Sequence, residues 1–174
     1  GAVVHCGDNV GVVVKGVGLI GYRLPPSGYG LPARRGGGRV GDFRKLKVWE
    51  RGHRLTLDVY AATGSFPRHE LFGLTSQLRR SASSIPANIA EGKGRRGAKE
   101  FLHHLSIANG SLNEAETYLI AAGRRNYLHE SDLALLLVMS AEIGRMVQGM
   151  MSSLESRIEQ QEPSRNAHRR VPDA

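Results

Sequence analysis

The sequence predicts an all-α protein built as an antiparallel up-down-up-down four-helix bundle. Four stretches between residues 46 and 160 place apolar side chains at alternating spacings of three and four, the repeat of one helix face. Short segments separate these stretches, so consecutive helices bury their apolar faces best by packing antiparallel. We expect a leader over residues 1–41, the bundle over residues 42–160 and a polar tail over residues 161–174.

The leader lacks the helical repeat and is rich in glycine. It holds 12 of the 22 glycines and includes Pro25-Pro26 and Gly36-Gly37-Gly38. Because such a composition buries too little apolar surface to offset its ordering entropy, we expect the leader to be disordered. The first methionine of the sequence is Met139. One hypothesis is therefore that the leader is not natural coding sequence and that translation begins at Val40 from an alternative start codon.

The first helix is predicted over residues 46–63. Val48, Gly52, Leu55 and Val59 recur there at spacings of four, three and four. A break follows over residues 64–67. Its proline suits the first position of the next helix, where a missing N–H removes no intrahelical hydrogen bond.

The second helix is predicted over residues 68–91. Pro86 lies inside it and removes an interior hydrogen bond, so we expect a kink near Ser83-Ser84. The buried face should consist of Leu71, Leu74, Leu78, Ala82, Ile85 and Ile89.

The third and fourth helices are predicted over residues 98–122 and 131–160, with Ser131 suited to the N-cap of the fourth. The third has the clearest repeat. The buried face of the third helix should consist of Phe101, Leu105, Ala108, Leu112, Ala115, Leu119 and Ala122. The buried face of the fourth helix should consist of Leu136, Ser140, Ile143, Val147, Met150 and Leu154.

The positive charge of the protein must be located before it is interpreted. The formal net charge is +8, but residues 1–41 and residues 42–158 contribute +4 each. The overall pI therefore overstates the basicity of the bundle. Only a local concentration of cations would indicate a polyanionic partner.

The predicted topology brings such a concentration to one end of the bundle, where the first and third helices begin and the second and fourth end. Glycines within residues 92–97 leave the backbone open, and the adjacent helix N-terminus carries partial positive charge, so both features suit phosphate. Arg44 and Arg157 are expected at the same end, and acids such as Glu91 offset part of the charge. The alternative interpretation is a solvated loop that maintains solubility. The candidate nucleic-acid-binding residues are Lys45, Lys47, Lys93, Arg95, Arg96, Lys99 and, halfway along the second helix, Arg80.

Two segments have the glycine spacing of a dinucleotide site without its context. Gly16–Gly21 follows a strand-like run but continues into Pro25-Pro26 instead of a helix, and Gly92–Gly97 lies between two predicted helices. A dinucleotide fold needs a strand before the glycines and a helix after them. Neither segment therefore predicts a cofactor site.

Two Glu-x-x-His pairs have the spacing of di-metal sites in helical bundles, namely Glu50 with His53 and Glu100 with His103. The heptad register places these side chains on the outer faces, whereas ligands must project into the centre. Ser/His/Asp and Cys/His arrangements are equally unsupported. We therefore expect no metal, no cofactor and no enzymatic activity.

Cysteine content and hydropathy agree with a cytoplasmic protein. Cys6 is the single cysteine, so an intrachain disulfide is excluded. The longest apolar run, over residues 10–22, contains Lys15 and is too short to span a bilayer. We expect no membrane partner.

Several motifs of the predicted bundle recur in a known family. The most specific are Gly73–Arg80 (GLTSQLRR) and Ser84–Gly92 (SIPANIAEG), flanked by Phe43–Leu46 (FRKL) and by Ile107–Glu114 (IANGSLNE). Together they resemble the bacterial four-helix bundle proteins of the 23S rRNA intervening-sequence (S23) family, over about two thirds of the chain. At Gly52 this family usually has alanine, and a glycine there weakens the first helix by about 0.5–1 kcal/mol.

The resemblance implies a ring-like homo-oligomer, suspected to be a pentamer, without assigned catalytic residues. Members of the family are encoded in intervening sequences of large-subunit ribosomal RNA genes and elsewhere in bacterial genomes. Distant relatives, the accessory variability determinants of diversity-generating retroelements, are pentamers that bind nucleic acid and a reverse transcriptase. We therefore expect an oligomer that binds the RNA or DNA backbone, since repeated basic poles attract a polyanion better than one. The alternative is a homo-oligomeric protein scaffold, such as a subunit that docks a reverse transcriptase.

Overall fold

The computed structural model describes residues 42–167 and the side chains of residues 42–160. The predicted leader and residues 168–174 lie outside this part of the chain. Short 3-10 turns over Phe43–Lys45, Thr63–Ser65 and Arg68–Glu70 accompany the longer helices. The four α-helices are α1 (Lys47–Ala62), α2 (Leu74–Gly94), α3 (Ala98–Arg124) and α4 (Glu130–Ala167).

The helices form the predicted up-down-up-down bundle. Each packs against its neighbours in sequence, and α1 also packs against α4, which closes the bundle. The predicted all-α fold is confirmed, and the apolar faces read from the sequence meet in one core. Leu71 is the exception: it was predicted to be buried, but it precedes α2 and is 49% exposed. The largest side chains that are almost fully buried are Leu55, Leu78, Ile85, Ile89, Leu105, Leu112, Leu119, Leu136 and Ile143.

The second helix runs through Pro86 without interruption. Proline cannot donate to the carbonyl of Ala82, one turn earlier, and an unpaired buried carbonyl would be costly. The hydroxyl of Thr56 on α1 shares its hydrogen bond between this carbonyl, at 2.9 Å, and the carbonyl of Gly52 in its own helix, at 3.0 Å. The hydrogen bond lost to the proline is thus replaced by one between two helices.

The boundaries of α2 and α4 differ from the prediction. Pro67 precedes a 3-10 turn, and α2 begins only at Leu74, whose N–H donates to a carboxylate oxygen of Glu70 at 3.2 Å. At the other end of the chain, α4 begins at Glu130, which places Ser131 inside the first turn rather than at the N-cap. The helix continues to Ala167 instead of ending at residue 160.

The fourth helix is long and apolar. Its segment Glu130–Gln160 has the length and composition that would allow a helix to cross a membrane, with a hydropathy of 1.4, but core helices pass the same test. Leu136, Ile143 and Val147 are fully buried in the bundle, which accounts for the apolar character of its inner face. Only 22% of the most apolar stretch of α4 is buried within the chain, so most of the outer face of this helix is exposed.

Candidate nucleic-acid interface

A groove opens at the end of the bundle where the sequence predicted a basic pole. It lies between the start of α1, the junction of α2 and α3, and the second half of α4, and it has a volume of about 510 Å³. The groove is lined by Leu46, Lys47, Val48, Lys93, Phe101, Arg145, Met146, Gly149, Met150, Ser153, Leu154 and Arg157.

The lining of this basic groove contains four cations and no carboxylate. Lys47, Lys93, Arg145 and Arg157 form no ion pair with any residue of the described chain. The ammonium of Lys93 lies 5.6 Å from the ring centroid of Phe101, which orients it without cancelling its charge. The groove therefore collects four cations that are not paired directly with a carboxylate.

Two of the cations predicted to bind nucleic acid are engaged by acids. Arg95 forms an i,i+4 ion pair with Glu91, and the hydrogen bond from Arg95 lowers the pKa of this carboxyl below its ordinary value. Arg80 contacts Glu114 on α3 at 2.8 Å. Both pairs are exposed, so a phosphate could displace the acid, but the net charge that these arginines offer is reduced.

The remaining predicted residues surround the groove. Lys47 and Lys93 belong to its lining, whereas Lys45 and Arg96 are exposed beside it, in the turn before α1 and in the loop before α3. Lys99, in the first turn of α3, is exposed and has an interaction partner of its own. Direct contact of any of these residues with nucleic acid stays a prediction.

The N-terminus of α3 faces this pole without a side-chain cap. Gly97 precedes the helix with a φ of 123°, a backbone conformation that favours glycine, and as the N-cap residue it forms no side-chain cap. The partial positive charge of this helix end adds to the field of the cations.

Arg145 belongs to the groove but was not predicted from the sequence. The prediction placed the end of α4 at the pole, but at about 1.5 Å per residue the 38-residue α4 is more than twice as long as the 16-residue α1. The middle of α4 therefore lies beside the start of α1. Arg145, Gly149, Ser153 and Arg157 recur at spacings of four, which could have indicated one basic helix face with small residues between its cations.

The two Glu-x-x-His pairs lie where the heptad register predicted. Glu50, Glu100 and His103 are exposed, and the ring of His53 stacks on that of Trp49 with centroids 5.2 Å apart. Within the described residues, no group of three or more His, Cys, Asp or Glu side chains could hold a metal ion.

The bundle part of the chain is similar to known proteins. The family model described as 23S rRNA-intervening sequence protein matches residues 44–149. The chain is also similar to a solved structure, a protein of unknown function from the S23 ribosomal protein family of Bacteroides thetaiotaomicron. The TM-score is 0.55 and the identity 23%, covering 60% of this chain and 97% of the other, which is evidence for the fold alone. No curated protein matches the chain.

The family match spans most of the bundle. It begins in the turn before α1 and ends within α4, so it contains all of α1, α2 and α3. It also covers more than half of the 174 residues. The chain therefore belongs to the 23S rRNA-intervening sequence protein family.

Proposed function

We propose that this protein is a non-enzymatic accessory protein of the cytoplasm that binds the backbone of RNA or DNA as a homo-oligomer. The observation that carries the proposal is the basic groove, in which Lys47, Lys93, Arg145 and Arg157 meet without a carboxylate. A cation that is not paired with a carboxylate can contact a phosphate without first breaking an ion pair. Each such contact releases a counterion from the nucleic acid, which favours binding.

The outer face of α4 supports the oligomeric part of the proposal. Val138 and Leu135 are 66% and 49% exposed, on a helix whose apolar window is mostly uncovered within one chain. Exposed apolar area of this kind marks interaction surfaces, and contact with further copies would bury it. The suspected number of five comes from the family resemblance. A ring would bring several basic grooves together and raise the attraction for one nucleic acid.

A homo-oligomeric scaffold that docks a protein partner, such as a reverse transcriptase, is the second candidate. The observation in its favour is Phe72, which is 89% exposed beside the 49% exposed Leu71, before the start of α2. Exposed aromatic anchors are typical of protein interfaces. Phe72 lies at the pole opposite the basic groove, so Phe72→Ser should abolish capture of a protein partner and leave nucleic-acid binding intact.

The proposed function is tested by fluorescence anisotropy with a labelled, structured RNA at low salt. Replacing two groove cations, as Lys93→Gln with Arg157→Gln, should weaken binding roughly tenfold. The matched control is Arg68→Gln with Arg124→Gln, which removes the same charge from exposed positions at the opposite pole. Equal losses in both variants would mean that total charge matters and that the groove does not. An unchanged affinity in the groove variant would contradict the proposal.

A further inference from the structure

The basic groove has an apolar floor that backbone binding does not require. Below the cations, Met146 and Met150 are half-buried and Phe101 is 9% exposed, and Leu46 and Leu154 extend this surface. A phosphate on the cations would leave the floor in contact with water. The floor therefore indicates that the ligand of the groove also has an apolar part.

The walls of the groove keep this floor accessible. On α4, Gly149 and Ser153 separate Arg145 from Arg157, and a Cβ added at Gly149 would meet no atom within 4 Å. Small residues at these two positions leave an opening above Met150. The volume of about 510 Å³ lies within the ordinary range of small-ligand sites.

We infer that the groove takes one unpaired nucleobase of a single-stranded or bulged nucleic acid, while the groove cations hold the phosphates on either side. This inference rests on the proposed function and narrows its substrate class to unpaired segments. A nucleotide combines a planar, largely apolar base with flanking negative charge, and the groove combines the complementary features.

The side chains that line the groove can accommodate any of the four bases. Aromatic rings and guanidinium planes stack on bases, and thioether side chains adapt to different shapes. An acidic amphipathic helix would also match the charge, but helix-in-groove binding uses a row of anchors along several turns. The groove offers a single pocket, which fits one planar group better.

The test compares three labelled probes of equal length on the full-length protein, by fluorescence anisotropy. The probes are a single-stranded oligonucleotide, the same strand with abasic central positions, and a duplex. The strand with bases should bind roughly tenfold more tightly than the abasic strand, the size expected for one stacked base. A 2-aminopurine at the central position should also change its fluorescence on binding.

Two variants locate the effect. Met146→Gln with Met150→Gln removes the apolar floor without changing charge, and it should equalise the affinities for the base-containing and abasic strands. The control is Met139→Gln, a half-buried methionine of α4 outside the groove, which should keep the preference. Gly149→Leu fills the opening while favouring the helix, so it should remove the preference even if the methionine variant folds poorly.

The outcomes separate this inference from the proposed function. If wild-type protein binds both strands equally and salt weakens binding, the base pocket is wrong and backbone binding stands. If neither strand nor duplex binds, the proposed function itself fails. An acidic amphipathic peptide that binds the groove while the oligonucleotides do not would overturn both and favour the scaffold.

Discussion

At the scale of single residues, the contact between α2 and α3 depends on Gly92. A Cβ at this position would lie 2.5 Å from the Cβ of His104 and 2.9 Å from Cδ2 of Phe101. His104 Cβ is fixed to the backbone of α3, so the helices would have to separate. Gly92→Ala should destabilise the protein by about 1–3 kcal/mol, the usual cost of overpacking, as measured by urea unfolding.

The matched control for this substitution is Gly110→Ala. Gly110 is an exposed residue within α3, and an added Cβ would have no neighbour within 4 Å. Alanine should therefore stabilise the helix by about 0.5–1 kcal/mol. A stabilising effect of both substitutions would show that α2 and α3 are not in close contact at Gly92.

The hydrogen bond of Thr56 to Ala82 predicts that substitutions at Thr56 and Pro86 have non-additive effects on the free energy of unfolding. Thr56→Val leaves the Ala82 carbonyl without a donor, at an expected cost of about 1–3 kcal/mol. In the Pro86→Ala background a backbone N–H is restored one turn after this carbonyl, so the same change should cost less. A double-mutant cycle by urea unfolding measures the difference. Strictly additive effects would contradict the proposed replacement.

Individual contacts were predictable only where they are local. The pairing of Arg95 with Glu91 follows from their i,i+4 spacing, although the sequence analysis counted Arg95 among the binding residues. The bond from Thr56 to Ala82 spans 26 residues and depends on the distance between two helices. Periodicity specifies which face is buried, but it does not specify such a distance.

At the scale of the elements, the start of α2 depends on the charge of Glu70. Its pKa lies below the ordinary value because the Leu74 N–H donates to the carboxylate, with further help from Tyr127 and Arg125. Since the folded pKa is the lower one, ionised Glu70 stabilises the fold above the unfolded pKa. This stabilisation is lost as the pH falls through the folded value, below the ordinary glutamate pKa of about 4.3.

Glu70→Gln should remove this pH dependence. The variant should be less stable than wild type near neutral pH, and the difference should shrink as the pH falls below the ordinary glutamate pKa and through the lowered folded value, because wild-type Glu70 then becomes protonated. The stability difference between the variant and wild type is measured from the urea unfolding midpoints of both proteins at a series of pH values. Glu155→Gln, at an exposed residue of α4, is the control and should follow the wild-type profile. A constant difference between Glu70→Gln and wild type would contradict the role of ionised Glu70.

Element order and buried faces were predictable because the helical repeat is strong in all four stretches. The residues at which the helices begin and end were less predictable. The start of α2 was placed at residue 68, but a side-chain acceptor from Glu70 moves it to Leu74. Arg145 was missed because its position at the pole depends on the different lengths of α1 and α4, which the repeat does not reveal.

At the scale of the whole molecule, the outer face of α4 should mediate self-association. Val138→Asp puts a charge on its most exposed large apolar residue, so the sedimentation coefficient should fall toward that of a monomer of 18.9 kDa. Asn113→Asp adds the same charge at an exposed position of α3 and serves as the control. Wild-type protein that sediments as a monomer at micromolar concentration would contradict the proposed oligomer.

The central claim is that a groove lined by four unpaired cations binds a polyanion, and the salt dependence of RNA binding tests it most directly. The logarithm of the binding constant should fall linearly with the logarithm of salt concentration for wild type. The slope should be shallower for Lys93→Gln with Arg157→Gln, by about 0.7–0.9 for each lost phosphate contact. Arg68→Gln with Arg124→Gln should run parallel to wild type. A slope that the groove substitutions leave unchanged would contradict the account.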